Sequence, residues 1–170
     1  MLRFIKVAIM LAVFASCCYS QDAVPKANQQ DAAKIAARKA VLVDLDMRKK
    51  NLMAQSDDMD SIAKSLNGFD FNNAMSITDH AQHGMIYLDA VYWFVGTYDR
   101  MQCVEDKNAA KAVLQDRLGF YALMLDMAVD QTNGQLGLTR VPAVEQQGQR
   151  IRDELRAAKV KLDEIAASLK

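Results

Sequence analysis

The sequence is poor in the residues and motifs that carry most protein chemistry. Its 170 residues include 3 cysteines, 2 histidines and 1 tryptophan. It has no Gly-x-Ser-x-Gly nucleophile elbow, no phosphate-binding Lys-Ser/Thr in the glycine-containing stretch 134–141, and no Cys-x-x-Cys-His motif for haem attachment. We therefore expect a protein that is not an enzyme and that needs no cofactor. No motif identifies a family.

The sequence also lacks an excess of charge of either sign. Lysine and arginine total 21, aspartate and glutamate total 21, and the formal net charge is +0 at pH 7. A nucleic-acid-binding protein is expected to present a basic face to the phosphate backbone. We therefore do not expect nucleic acid among the partners of this chain.

The first twenty residues have the layout of an export signal. Arg3 and Lys6 precede an apolar run over 7–15, which small residues follow. The run is too short to span a bilayer as a helix, and a positive head before a short apolar segment is typical of a signal peptide. The sequence thus predicts a periplasmic or secreted protein. Its expected parts are a signal peptide over 1–20, a flexible polar tether over 21–30 and a helical domain over 31–170.

The tandem cysteines leave two routes of maturation open. Residues 14–17 (Phe-Ala-Ser-Cys) resemble a bacterial lipoprotein box, in which Cys17 becomes lipidated and N-terminal, although Phe14 stands where a branched aliphatic residue is usual. Cleavage after Ser20 is the other route, because Cys18 and Ser20 then occupy the two small-residue positions before the cut. The first route allows membrane contact through the lipid anchor, and the second leaves the domain free.

The route of maturation also decides what Cys103 can do. Cleavage after Ser20 leaves Cys103 as the only cysteine, so that no disulfide can form. Cleavage before Cys17 keeps Cys18 on the tether, where it could pair with Cys103 in an oxidising compartment. The simpler expectation is that Cys103 is a small buried hydrophobic residue near a helix end.

Apolar residues recur at helical spacing in the first half of the chain. A first helix is predicted over 31–66, and the Asn-Gly pair ending at Gly68 is expected to stop it. A loop containing two phenylalanines over 69–73 follows. The second helix is expected to start between 74 and 79, where Ser-Ile-Thr-Asp has capping-box spacing, and to run to about Val104. The core stripe of the first helix is Leu45, Leu52, Met59 and Leu66.

The second half of the chain predicts two further helices. A turn at 106–108 leads into a third helix, which continues to Thr132 before an Asn-Gly pair, and Pro142 fits the first turn of a fourth. The apolar stripe of the fourth alternates by three and four, as in a coiled coil. Its members are Val144, Ile151, Leu155, Ala158, Leu162, Ile165 and Leu169. No stretch alternates with period two, so we predict an all-α, antiparallel up-down-up-down four-helix bundle.

The second and third helices are apolar on nearly every side over 85–95 and 118–129, each with a single charged residue. A helix of a bundle should carry polar residues on the face that points away from the core. Neither stretch is long enough to cross a membrane. Either the first helix or the loops over 69–73 and 134–141 cover the surplus surface, or it binds another protein or a second copy. The candidate partner-binding residues are Tyr87, Tyr92, Trp93 and Phe94.

The two histidines suggest an alternative function. His80 and His83 are three residues apart and share a helical face, and Asp126 and Asp130 share a face of the third helix. A His/Asp cluster of these four could hold a metal ion or a small ligand between the two helices. The Glu-x-x-His pattern of bundle metal sites is absent, so solvated histidines beside a helix cap are the simpler interpretation. A b-type haem bound by one histidine and a methionine such as Met127 has less support still.

Overall fold

The computed structural model describes Gln29–Leu169 and contains four helices. They are α1 (Gln29–Ala63), α2 (Gly68–Arg100), α3 (Val104–Leu136) and α4 (Pro142–Ser168). No strand occurs within these residues. The predicted all-α class with four helices is confirmed. The signal peptide, Cys17 and all but the last residues of the tether lie outside the described residues.

Contacts between the helices place them in a ring that is compatible with a four-helix bundle. Successive helices pack against each other, and α1 also packs against α4. In every packed pair of neighbours, residue numbers rise along one helix as they fall along the other, so each helix is antiparallel to both of its neighbours. The contacts that fix these directions are Arg38–Asp99 and Lys49–Asp89 (α1 and α2), Asn73–Gln135 and Tyr87–Tyr121 (α2 and α3), Gln115–Leu169 and Lys159–Asp126 (α3 and α4), and Lys161–Asp44 and Gln147–Gln55 (α4 and α1).

The core stripes predicted for the two outer helices are confirmed. All seven stripe residues of α4 are buried, and so are Leu45, Leu52 and Met59 of α1. Leu66, the last residue of the predicted α1 stripe, lies beyond the end of that helix and is partly buried. Full burial of a leucine, isoleucine or methionine side chain stabilises a protein by about 1.5–3 kcal/mol. These stripes therefore supply much of the stability of the bundle.

The second helix starts earlier than predicted. It begins at Gly68, so the expected loop over 69–73 and the expected capping box over 76–79 were wrong. Inward-facing side chains of this stretch are buried, and the side-chain amide of Asn73 donates to the Gln135 carbonyl at 3.1 Å. Packing against the other helices thus outweighs the weak helix propensity of Phe, Asp and Asn here.

The links between helices also differ from prediction. Gly68 has the left-handed φ of 55° expected of it, but it begins α2 rather than ending α1 directly. The third helix does not end at the Asn-Gly pair at 133–134 but continues through Gly134 to Leu136. Among the described residues, Gly68 is the only glycine with a positive φ, so Gly134 does not act as a helix stop. The turn into α3 lies at 101–103 instead of 106–108.

Candidate outer face of the second and third helices

The surplus apolar surface of α2 and α3 is largely open. Trp93 on α2 is 51% exposed, and Phe120 and Leu123 on α3 are 48% and 58% exposed. The two phenylalanines of the stretch 69–71, which was expected to lie in a covering loop, are in the first turn of α2 and are themselves exposed. This part of the covering interpretation is therefore wrong.

Both acidic residues of the apolar stretches lie away from the outer surface that α2 and α3 share. Asp89 is 2.6 Å from the ammonium of Lys49 on α1, and Asp126 is 3.7 Å from that of Lys159 on α4. Between 81 and 98 on α2, and between 118 and 129 on α3, they are the only acidic or basic residues apart from one histidine. In the antiparallel register these stretches overlap along about 15 Å of helix and add no formal charge to the shared surface there. Arg117, one residue before the α3 stretch, is exposed and lies close enough to Tyr121 to act on its pKa.

Aromatic rings pack against one another where α2 meets α3. The ring centroids of Tyr87 and Tyr121 are 5.9 Å apart, and those of Phe94 and Tyr121 are 6.5 Å apart. Trp93 contacts Phe94 edge-on at 5.3 Å, and Phe120 contacts Tyr121 edge-on at 5.5 Å. Burial raises the pKa of the Tyr121 phenol, which therefore stays neutral. We name these five residues the aromatic face.

The structure separates the four predicted partner-binding residues. Tyr87 and Phe94 are half-buried toward α3, and Trp93 lies exposed against Phe94. Tyr92 is also exposed, but it lies on the α1 side of α2, close enough to Lys49 to act on its charge. Three of the four therefore share one surface, and Tyr92 belongs to another.

Sequence reasoning included the third helix in this surface but named none of its residues. Phe120 and Tyr121 lie within the apolar stretch 118–129, which was recognised, but neither was named as a partner-binding residue. The signal that could have found them is the antiparallel direction of α2 and α3. That direction brings the middle of 118–129 opposite the residues between 83 and 94.

A shallow groove opens between α2 and α3 beside the aromatic face. Its volume is ≈ 220 Å³, and both histidines line it from α2. Two methionines, Met124 and Met127, line it from α3. His80 and His83 thus lie on one face of α2, and that face borders α3.

Each imidazole in the groove has its Nδ1 engaged. The Nδ1 of His83 is 2.8 Å from the carbonyl oxygen of Asp79, which can only accept, so that nitrogen carries the proton and Nε2 is left with a free lone pair. The Nδ1 of His80 is 3.1 Å from the hydroxyl of Thr132, which is fully buried. Burial lowers the pKa of His80, so this ring stays neutral to lower pH than a free histidine.

The two aspartates of the predicted metal cluster do not join the histidines. Asp126 pairs with Lys159 on the α4 side of α3, and Asp130 does not line the groove. Over Asp31–Leu169, no three His, Cys, Asp or Glu side chains come close enough to hold one metal ion. The His/Asp cluster is therefore not formed, because a different side of α3 faces the histidines.

The expectation that Cys103 is buried was wrong. It is the residue before α3, and its thiol is exposed. The sulfur lies 3.7 Å from the Glu105 carboxylate. In the link 101–103, Met101 packs against the core, whereas Gln102 and Cys103 face solvent.

The described helices show no membrane span, and the chain shows no match to known proteins. Within the residues that the structure describes, no helix has an apolar stretch sufficient to cross a membrane. Comparison of the chain with models of protein families, with curated proteins and with solved structures finds no match.

Proposed function

We propose that this chain is an exported, non-enzymatic helical bundle that associates with a second copy of itself through the aromatic face. The observation that carries the proposal is the exposure of Trp93 within a surface built from aromatic and apolar side chains, with Arg117 beside it. Extended apolar patches are unusual on monomeric soluble proteins and mark interaction sites. Tryptophan, tyrosine and phenylalanine are the side chains enriched at the centres of such sites.

A second copy suits this surface for a specific reason. A two-fold axis through the face would pack α2 and α3 against the same antiparallel pair of the other copy, so that rings meet rings. Asp89 and Asp126 would not oppose their own copies across the axis, because each is paired with a lysine of an outer helix.

Export is part of the proposal. The N-terminal segment would carry the signal, and the polar residues 21–28, which precede α1, would form either a free end or a tether to a lipidated Cys17. Mass spectrometry of the mature N-terminus distinguishes the two. A chain that begins at Gln21 is a free domain, a chain that begins at a lipidated Cys17 is anchored, and an uncleaved chain contradicts export.

The association is tested by light scattering and sedimentation velocity on the purified mature protein over a concentration series. We expect a dimer, and we expect Trp93→Asp to lower the dimer affinity by at least about 30-fold, because a hot-spot tryptophan is worth about 2 kcal/mol or more. The matched control is Val160→Asp on α4, where the side chain is 49% exposed but lies far from the aromatic face.

Three results would contradict self-association. One is a wild-type protein that stays monomeric at every concentration reached. Another is an equal loss of dimer in Trp93→Asp and Val160→Asp. The third is a monomer that captures a different protein through Trp93, which would replace the second copy by that partner. Circular dichroism spectra of both variants confirm that each is folded before the comparison is made.

A further inference from the structure

We propose that the groove between α2 and α3 is a binding site for a monovalent soft metal ion, Cu(I), with His80, His83, Met124 and Met127 as its ligands. All four side chains line the same groove. Tyr87 of the aromatic face also lines this groove, but none of the four proposed ligands belongs to that face. The site goes beyond self-association, because His80 is about 20 Å along the helix from Trp93. One can therefore be removed without the other.

The ligands come as two matched pairs on neighbouring helices. Each pair has a spacing of three residues, which directs both of its side chains to one side of the helix. In the antiparallel register of α2 and α3, His80 lies level with Met127 and His83 with Met124, to within about one residue of helix. Two imidazoles thus face two thioethers across the groove.

The donor atoms favour copper(I) over other metals. Thioether sulfur is a soft ligand that selects Cu(I), and imidazole also binds copper well. Protein zinc sites are built from thiolates, imidazoles and carboxylates, and neither a thiolate nor a carboxylate lines this groove. A blue-copper site is excluded for the same reason, since it needs a cysteine thiolate.

The charge of the site points to a monovalent ion. All four proposed ligands are neutral, so nothing in the set offsets the charge of the ion. The cost of taking an ion out of water rises steeply with its charge, which penalises a divalent ion more than Cu(I) in such a set. His83 and Met127 are exposed, so an ion can enter from solvent without any opening of the bundle.

The contacts behind the histidines are those of metal ligands. Metal-binding histidines typically donate the second ring N–H to a carbonyl or a carboxylate, which fixes the ring and its tautomer. His83 does this with the Asp79 carbonyl, and the Thr132 hydroxyl can accept from His80 in the same way. Both Nε2 atoms are then left for the metal.

The test is an anaerobic competition for Cu(I) against bicinchoninate. We expect the wild-type protein to withdraw one copper ion per chain from the chelator. The double variant Met124→Leu/Met127→Leu should lose affinity by at least about 10-fold, and so should His83→Gln. Leucine is close to methionine in volume, so the double variant is expected to fold. The matched control is Met47→Leu on α1, where the methionine is 50% exposed and lies outside the groove.

Further measurements separate this proposal from self-association and from binding by the histidines alone. X-ray absorption of the copper complex should show both nitrogen and sulfur scatterers. Trp93→Asp should bind copper as the wild type does, even as a monomer. Failure of the wild-type chain to compete for Cu(I) would overturn the site, as would an unchanged affinity in the double methionine variant or tighter binding of Zn(II) than of Cu(I).

Discussion

Removing one member of the Arg38–Asp99 ion pair will leave the other charge buried between α1 and α2. The Nε of Arg38 is 2.9 Å from Asp99 Oδ1, and its Nη2 also contacts that oxygen, at 2.5 Å. Each side chain is only 5% exposed, and the guanidinium lies 5.6 Å from the ring centre of Tyr98. Solvent therefore screens this pair far less than an ion pair on the surface.

The size of the effect follows from this burial. Asp99→Asn preserves the shape of the side chain but removes the counter-charge, and an arginine cannot lose its proton in compensation. Breaking a buried pair in this way costs about 3–5 kcal/mol, a large part of the roughly 5–15 kcal/mol that stabilises a typical domain. The melting temperature should fall by roughly 10 °C or more.

Urea unfolding followed by far-ultraviolet circular dichroism measures the loss. The control is Lys50→Gln, which breaks an exposed pair with Asp46 and should leave the urea midpoint unchanged. The double variant Arg38→Met/Asp99→Leu should recover most of the stability, because it leaves no unpaired charge. A cost below about 1 kcal/mol for Asp99→Asn, or a double variant as unstable as the sum of the two single ones, would refute the reasoning.

The remaining predictions concern two glycines, a histidine and the exposed thiol. Gly84→Ala should destabilise the protein by about 1–3 kcal/mol, because an added Cβ would overlap the buried side chain of Leu155, whereas Gly119→Ala meets nothing within 4 Å and should stabilise its helix by about 1 kcal/mol. Urea midpoints of the same sign for both glycine variants would contradict this packing. Because burial lowers the pKa of His80 in the folded protein, the unfolded chain takes up its proton first, and stability should fall as pH drops below about 6.5. His80→Gln should flatten that slope, and an unchanged slope between pH 7 and pH 5 would count against it. Cys103 should react with a thiol reagent as fast in the folded protein as in the unfolded chain, and slow labelling that requires unfolding would show that it is buried.

The parts of the fold that sequence predicted best are those where one interaction decides the outcome. The α4 stripe has a single apolar side, so only one orientation buries Val144 and Leu162 together, and Pro142 marks the first turn. The start of α2 was missed because two effects compete there. Local propensity over 69–73 disfavours a helix, and only the contacts of the completed bundle, such as that of Asn73 with α3, reverse the balance.

The candidate metal ligands also depend on contacts that only the completed bundle decides. The sequence predicted that His80 and His83 share one side of α2, since a spacing of three residues decides that alone. It could not decide which side of α3 they meet. The stretch 118–129 is apolar all round, so nothing in it orients the helix, and Asp126 is about 100° around the axis from its neighbour Met127. Core packing turns the methionine toward the histidines and the aspartate toward Lys159.

The composition of the outer face is not explained by folding alone. A half-exposed position such as that of Trp93 or Phe120 would accept a lysine or a glutamate at little cost, since solvent already reaches it. The two charges that the apolar stretches do contain, Asp89 and Asp126, are both placed where a lysine of an outer helix neutralises them. The result is a largely apolar surface, with aromatic rings along its middle and the side chains of two histidines and two methionines at one end. The proposed contacts with a second apolar surface and with a soft ion would account for these two features, and the stability of a single protomer does not require either.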